Sequence, residues 1–433
     1  DMKRSIWSSL KWLYPGMRVK RWLLLVPVGT FSIIVGVALL ANVAVIDYLD
    51  AIGRFALSQF GINLRQPATL ISVSVVSISF GLALIFVSIR QVIRSIISVV
   101  SPSAQDKLAD VIFQNRYLAQ GRRIVVVGGG TGLSTMLRGL KQYTSNIVAI
   151  VTVTDDGGSS GVLHRELGML PPGDIRNCIV ALADEEPLMT ELLQYRFNGG
   201  TGTLQGHSFG NLLIAAMTNI TGDFERAVKE TSNILAIRGR VLPSTIENVQ
   251  IHAELADGTL ADGETNIVES GQPVKHIFLT PADVRPLDEA IHAIKLADAI
   301  VIGPGSVYTS IIPNLLVKGI ADAIAESDAV KIFVCNVMTQ PGETDGFTAS
   351  EHVCAVANHV DKKIFNYVLV NRQVPRLDLL DKYREKGAEL VLPDIDKIRE
   401  MGYRAVIGDF MSETDVVRHD PKRLADAIIR LMY

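Results

Sequence analysis

Cysteine is scarce in this chain. The three residues, Cys178, Cys335 and Cys354, form no CxxC pair and all lie in the second half. That spacing argues against a disulfide framework or a structural zinc site, and each thiol reads as a small core residue. Charge of one sign is lacking too. Lys plus Arg number 42 against 45 Asp plus Glu, a net of −3, so no global basic field draws the protein to nucleic acid, although a local basic patch stays open. Internal repeats and low-complexity tracts are absent from the 433 residues. That length allows two or three compact units at ~150 residues each. With 48% apolar residues and a mean hydropathy of +0.28, wholesale disorder is excluded.

The hydropathy is unevenly spread. Residues 23–46 and 69–89 carry no charged side chain, and at 1.5 Å per residue they give about 36 and 32 Å of helix against about 30 Å of hydrocarbon. Lys3, Arg4, Lys11, Arg18, Lys20 and Arg21 precede the first stretch, and Arg90, Arg94 and Lys107 follow the second. The intervening loop is nearly neutral, so the positive-inside rule predicts a two-pass cell-membrane anchor with both termini cytoplasmic. Trp7, Trp12 and Trp22 suit an interfacial belt on the inner side. The predicted organisation is a cytoplasmic segment over 1–22, a first spanning helix over 23–46, an outer loop over 47–68 and a second spanning helix over 69–89. A helical linker over 90–120, broken by Ser101-Pro102-Ser103, leads to a domain over 121–433.

From Arg122 onward short apolar runs alternate with helical stretches: 124–127, 147–153, 299–303, 332–337 and 367–370, with helices expected over 131–142, 306–327 and 347–359. Continuous β-branched runs of this length mark parallel strands buried on both faces. The expected fold is therefore α/β, a Rossmann-like, doubly wound, mostly parallel sheet. Between Glu247 and Glu269, Val249, Ile251, Ala253 and Leu255 alternate with polar residues before Asp257-Gly258, which predicts a small antiparallel insertion.

Five motifs carry chemistry. Gly128-Gly129-Gly130-Thr131-Gly132 ends the first strand and opens a helix, where glycines let backbone approach an anion and free amides face it. It is no strict GxGxxG, since the sixth position is Leu133 from Gly128 and Thr135 from Gly130, so nicotinamide binding does not follow. The alternative is a tight βα turn without a ligand. Thr154-Asp155-Asp156-Gly157-Gly158-Ser159-Ser160-Gly161 puts two carboxylates after the second strand; they would hold Mg²⁺, accept from ligand hydroxyls or act as a base, or else form an Asx turn. Pro171-Pro172-Gly173-Asp174-Ile175-Arg176-Asn177 is either a turn with an Asp cap and a solvated Arg176, or an acid and a guanidinium for a phosphate. In Gly206-His207-Ser208-Phe209-Gly210-Asn211, Asn211 is a better ligand-orienting group than His207 is a proton donor. Gly303-Pro304-Gly305-Ser306 again joins a buried strand to a helix, and the amides of Gly305, Ser306 and Val307 can converge on an anion. Two such turns suit a diphosphate.

These motifs, in this order, resemble the YvcK-like gluconeogenesis factors, relatives of the 2-phospho-L-lactate transferase (CofD) enzymes. The resemblance covers residues 122–433, and GRVLPST at 239–245 and CNVMTQPGETDGFTASEH at 335–352 are similar to the gluconeogenesis-factor branch in particular. It implies a domain that binds a UDP-sugar such as UDP-N-acetylglucosamine, or another nucleotide diphosphate, with a role in cell shape and envelope-precursor supply on gluconeogenic carbon. The transferase relatives imply an alternative: Mg²⁺-dependent transfer of a phosphorus-containing group, with Asp155 and Asp156 as metal ligands and catalytic carboxylates. The expected ligand contacts are Gly129, Gly130, Thr131, Gly132, Asp155, Ser159, Asp174, Arg176, Asn211, Gly303, Gly305 and Ser306. The expected partners are the nucleotide-sugar ligand, the cytoplasmic membrane, envelope-synthesis proteins and a second copy of the chain in a homo-oligomer, with no nucleic acid.

Overall fold

The computed structural model describes residues 20–40, 57–58, 67–100, 116–184, 187–198, 202, 204–413 and 416–433, in two compact units that divide at Gln114 and Asn115. The first unit contains the helices Leu25–Leu40 and Pro67–Val100. They pack through their small residues. A methyl group on Gly81 would lie 2.5 Å from the Gly29 carbonyl oxygen, and one on Gly36 would lie 2.9 Å from that of Ser74. Ser32 and Ser77 each donate a hydroxyl to the other's carbonyl, at 2.9 and 2.8 Å, and Ser88 donates to the Trp22 carbonyl at 2.6 Å. Large apolar side chains point outward: Leu24, Phe31, Val76 and Phe86 are each about two-thirds exposed, while Ser74 and Ser88 are buried. This inverts the pattern of a water-soluble hairpin.

Among the described residues one helix, Ala68–Ser95, is long and apolar enough to cross a membrane. Leu25–Leu40 is apolar but has 16 residues, and positions 41–46 of the predicted span lie outside the described residues. So do 1–19, most of the predicted outer loop, and 101–115, which include Ser101-Pro102-Ser103. The second helix continues to Val100, eleven residues past the predicted boundary at 89.

The second unit is built on seven parallel strands: β1 (Ile124–Gly128), β2 (Ile147–Val151), β3 (Arg240–Pro243), β7 (Ala299–Ile302), β8 (Val330–Val334), β9 (Tyr367–Asn371) and β10 (Arg404–Gly408), in the order β10-β9-β8-β7-β1-β2-β3. Every residue of β1, β2 and β7 is buried, as expected where helices cover both faces. The insertion is a separate antiparallel sheet, β4 (Gln250–Leu255) between β5 (Leu260–Asp262) and β6 (Val274–Thr280). Alternate β4 residues Ile251, Ala253 and Leu255 are buried, so one face meets the core as the alternation predicts. A short hairpin, β11 (Met411–Glu413) with β12 (Val417–His419), follows the last parallel strand.

The single helix predicted over 306–327 is instead broken. A π-helical turn, Val307–Ile311, runs into the helix Ile312–Leu316, and Ile320–Glu326 departs from it at 79°. Gly319 at the break has φ +83°, a left-handed conformation that ends one helix and redirects the chain.

Candidate functional site

The chain runs from β1 to β2 and β3 on one side of the sheet and from β7 to β10 on the other. β1 and β7 are hydrogen-bonded neighbours, with Ile124 opposite Ala299 and Val127 opposite Ile302. The crevice beyond their carboxyl ends is thus the topological switch point of the sheet, where ligands of open α/β folds bind. The two glycine turns follow these two strands and touch. A methyl group on Gly132 would lie 2.8 Å from the Pro304 carbonyl oxygen, and one on Gly305 would lie 3.1 Å from that of Gly129. Gly130 has φ +69° and opens the helix Gly130–Leu140, so residues with a Cβ are disfavoured where the amides turn toward the crevice.

A cavity of about 460 Å³ fills the crevice. Of the residues predicted to contact a ligand, Gly130, Thr131, Gly132, Asp155, Asp174, Gly305 and Ser306 line it. Gly129 and Gly303 belong to the same two turns but do not line it. Ser159, Arg176 and Asn211 do not line it and are buried in hydrogen bonds of their own: Asn211 Nδ2 donates to Ser159 Oγ at 3.1 Å, Ser159 Oγ pairs with His207 Nδ1 at 3.0 Å, and Arg176 Nη1 donates to Ser208 Oγ at 2.6 Å. Arg176 is buried and not solvated, and burial lowers its pKa. Ser208 caps the helix Phe209–Thr221 through the Asn211 amide.

The acids of the cavity occupy unusual environments. Asp174 caps no turn of its own. Its carboxyl accepts from the Gly130 amide at the start of another helix, and burial, with the charge of Asp155, pushes its pKa up to about 7. Burial also raises the pKa of Asp155, whose Oδ1 accepts from the Gly157 amide at 3.0 Å in an Asx turn. Glu264, from the insertion, is pushed up to about 9 by burial and by the charges of Asp155, Asp174 and Glu343. At neutral pH it is a protonated acid that can donate a hydrogen bond.

The second turn departs from its expected use. The Gly305 amide donates to Asn336 Oδ1 at 3.2 Å while Asn336 Nδ2 donates to the Gly305 carbonyl at 2.9 Å. The Ser306 hydroxyl donates to Gln340. At the start of the helix beyond it, the Tyr308 amide and Thr309 hydroxyl donate to Glu343 at 3.2 and 3.1 Å, and Gln340 Nε2 donates to the same carboxyl at 2.6 Å. A buried internal carboxyl, with its pKa pushed up to about 7 by burial, therefore holds the helix start just beyond the amides of Gly305, Ser306 and Val307 that were expected to meet an anion. At the first turn too an internal carboxyl, Asp174, takes the Gly130 amide, and the amides of Thr131 and Gly132 follow it at the helix start.

Asp155 and Asp156 part company. Asp155 lines the crevice cavity, whereas Asp156 Oδ1 accepts from the Thr265 amide and hydroxyl at 3.0 and 2.7 Å and ties the insertion to the core. Among the described residues no group of three or more His, Cys, Asp or Glu could hold a metal ion. Mg²⁺ is commonly held by one or two carboxylates together with ligand phosphates, and the oxygen donors of Asp155 and Asp174 fit that arrangement. Cavity residues outside the five motifs include Glu264, Ser310, Asn336, Gln340, Arg418 and His419. Asn336 and Gln340 fall within the string at 335–352; Glu264 and Arg418 carry no local signal.

A family model described as 2-phospho-L-lactate transferase CofD matches residues 124–411. The gluconeogenesis factor of Halalkalibacterium halodurans is 50% identical over 309 residues, 71% of this chain and 96% of its own length. That of Bacillus subtilis is 48% identical over 316 residues, 73% of this chain and 99% of its own. A relative from Nostoc sp. is 48% identical over 423 residues, 97% of this chain and 92% of its own, a span that reaches into the N-terminal unit. A crystal structure of a Bacillus halodurans protein superposes with a TM-score of 0.70 at 49% identity, covering 72% of this chain and 100% of that one. On these matches the chain belongs to the gluconeogenesis factor family, built on a CofD-like domain.

Proposed function

We propose that this protein binds a nucleotide diphosphate at the switch-point crevice, a UDP-sugar such as UDP-N-acetylglucosamine being the favoured class. It acts as a membrane-tethered regulator of cell shape and envelope-precursor supply during growth on gluconeogenic carbon. One observation carries the binding reading: glycine turns from two adjacent strands meet at one cavity of about 460 Å³, a size and place suited to a nucleotide. Phosphates take the amides of Thr131 and Gly132, beside the Gly130 amide that Asp174 already holds, with Arg418 as a cation in the same cavity. The neutral acid of Glu264 then donates where an ionised one would repel. Tethering is supported by the apolar helix Ala68–Ser95 and by the outward-facing Phe31, Val76 and Phe86 of the hairpin. The gluconeogenic role follows the name its relatives carry.

The test is a thermal-shift and calorimetric titration of the full chain in mild detergent with UDP-N-acetylglucosamine, with and without Mg²⁺. Ligand at 100 times Kd adds about 2.7 kcal/mol of stability. Gly305→Val should remove that gain while circular dichroism stays unchanged. No rise in melting temperature at millimolar ligand sinks the reading.

A second reading, Mg²⁺-dependent transfer of a phosphorus-containing group, is favoured by two acids, Asp155 and Asp174, in the wall of the same cavity. It requires turnover of a nucleotide-diphosphate donor that needs Mg²⁺ and disappears in Asp155→Asn.

A further inference from the structure

The turn over residues 340–344 meets three segments that lie far apart in the chain. Its own ends hold it in shape, the Thr344 amide donating to the Gln340 carbonyl and the Gln340 amide to the Thr344 hydroxyl, both at 2.9 Å. Gly342, at φ +82°, packs so closely on the insertion helix Glu264–Glu269 that a Cβ there would strike the Val268 carbonyl. That insertion shapes the site. It gives Glu264 to the first cavity, and Gly263 and Thr280 to a second of about 390 Å³, with Asp155 in the wall of both.

Glu343 is buried at the centre of this junction. Its Oε1 accepts from the Thr309 hydroxyl at 3.1 Å and from Gln340 Nε2 at 2.6 Å, and its Oε2 accepts from the Tyr308 amide at 3.2 Å. Two of these donors lead onward. Gln340 takes the hydroxyl of Ser306, in the second glycine turn, on its own Oε1. Thr309 is hydrogen-bonded to Glu264 as well. Because a hydroxyl carries one proton, Thr309 donates to Glu343 and accepts from the neutral acid of Glu264. Ser306, Gln340 and Glu264 line the first cavity, whereas Thr309 and Glu343 do not. One carboxyl thus reaches two walls of the cavity, each through a single side chain. Buried, it depends on these donors for its solvation and loses if either wall moves away.

We propose that Glu343 is a positioning residue of the ligand cavity: without touching the ligand, it sets the second glycine turn, through Gln340, and the acid of the insertion, through Thr309, at one spacing. The inference rests on the nucleotide-diphosphate reading above and deepens it.

Amide exchange and calorimetry on the full chain in detergent test it, with circular dichroism to check the fold. Thr309→Val cuts the link to the insertion and should speed exchange over residues 264–270 while residues 303–307 stay as they were. Gln340→Leu cuts the other link and should do the reverse; since Gln340 lines the cavity, it is read by exchange alone. Glu343→Gln leaves one acceptor oxygen for three donors and should speed exchange in both segments. It should also weaken binding of UDP-N-acetylglucosamine about tenfold, and Thr309→Val should add nothing in that background. Thr309→Ser restores the hydroxyl and should match the unaltered protein in both measurements, which a role in packing alone would not produce. Exchange that rises evenly through the domain, unchanged affinity in Glu343→Gln, or a Thr309→Ser variant as weak as Thr309→Val overturns it. If Glu343→Gln does not fold, Thr309→Val and Gln340→Leu decide by their separate exchange patterns. If the unaltered protein binds no uridine compound, the nucleotide reading itself falls, and the exchange patterns still decide whether Glu343 joins the two walls.

Discussion

Asp156 and Thr265, 109 residues apart in the chain, are joined by two hydrogen bonds that converge on one carboxylate oxygen, from the Thr265 amide at 3.0 Å and its hydroxyl at 2.7 Å. The bond pair is the fastening by which the β4–β6 insertion meets the loop after β2. It also explains why two adjacent aspartates do different work. Successive residues in an extended loop point to opposite sides, so one carboxylate faces the crevice and the other faces the insertion.

Asp156→Ala should therefore act on stability before it acts on ligand chemistry. Hydrogen bonds to a charged acceptor contribute ~1.5–3 kcal/mol, and partial exposure places this pair at the low end. Urea unfolding of Asp156→Ala, Thr265→Val and the double variant should give a non-additive cycle, with faster amide exchange over residues 260–270. Additive losses would mean that the two residues are energetically independent.

Glu264 makes stability pH-dependent in a defined direction. Its pKa is raised in the folded state, from an ordinary 4.5 to about 9, so the folded protein holds a proton that the unfolded chain has released over that interval. Stability is then full below the unfolded pKa and is lost as pH rises toward 9. Glu264→Gln keeps a neutral donor and should flatten the fall. The melting-temperature difference between pH 5 and pH 9 should be smaller in the variant; an equal difference would assign the pH dependence to other groups.

In the hairpin, Ser32 Oγ and Ser77 Oγ lie 3.1 Å apart, and Gly81 leaves 2.5 Å for a Cβ before the Gly29 carbonyl. Cysteines placed at 32 and 77 should form a disulfide under mild oxidation in detergent or membranes. Adding Gly81→Leu should abolish it, because the close approach of these two helices depends on small residues at their contact. Persistence of the crosslink would mean that the helices pack through another face.

Legibility followed burial. The runs at 124–127, 147–153, 299–303, 332–337 and 367–370 are all strands, because central parallel strands are buried on both faces and read as unbroken apolar segments. β3 and β10 escaped notice for the converse reason. They are the two edges of the sheet; β3 reads Arg-Val-Leu-Pro, and β10 has no fully buried residue. The insertion was legible at β4 through its period of two, whereas β6, separated from it by a helix, was not.

The site divides similarly. Glycines at strand ends are local signals, so Gly130, Thr131, Gly132, Gly305 and Ser306 could be named in advance, and they do line one cavity. Which amides stay free could not be read that way. Gly305 is engaged by Asn336, 31 residues on, and the helix after it by Glu343. Glu264 and Arg418 reach the cavity from the insertion and the last hairpin.

The sequence by itself determined the strand cores, the glycine turns and the apolar N-terminal stretches, because each is set by neighbours within a few residues. Only the tertiary structure decided that Asp155 and Asp156 face different partners, that the second turn is held by Asn336 and Gln340 with Glu343 at the helix beyond it, and that a second cavity opens beside the first. Those outcomes depend on segments far apart in the chain arriving at one strand edge, and on the free-energy cost of leaving a buried amide or acid without a partner.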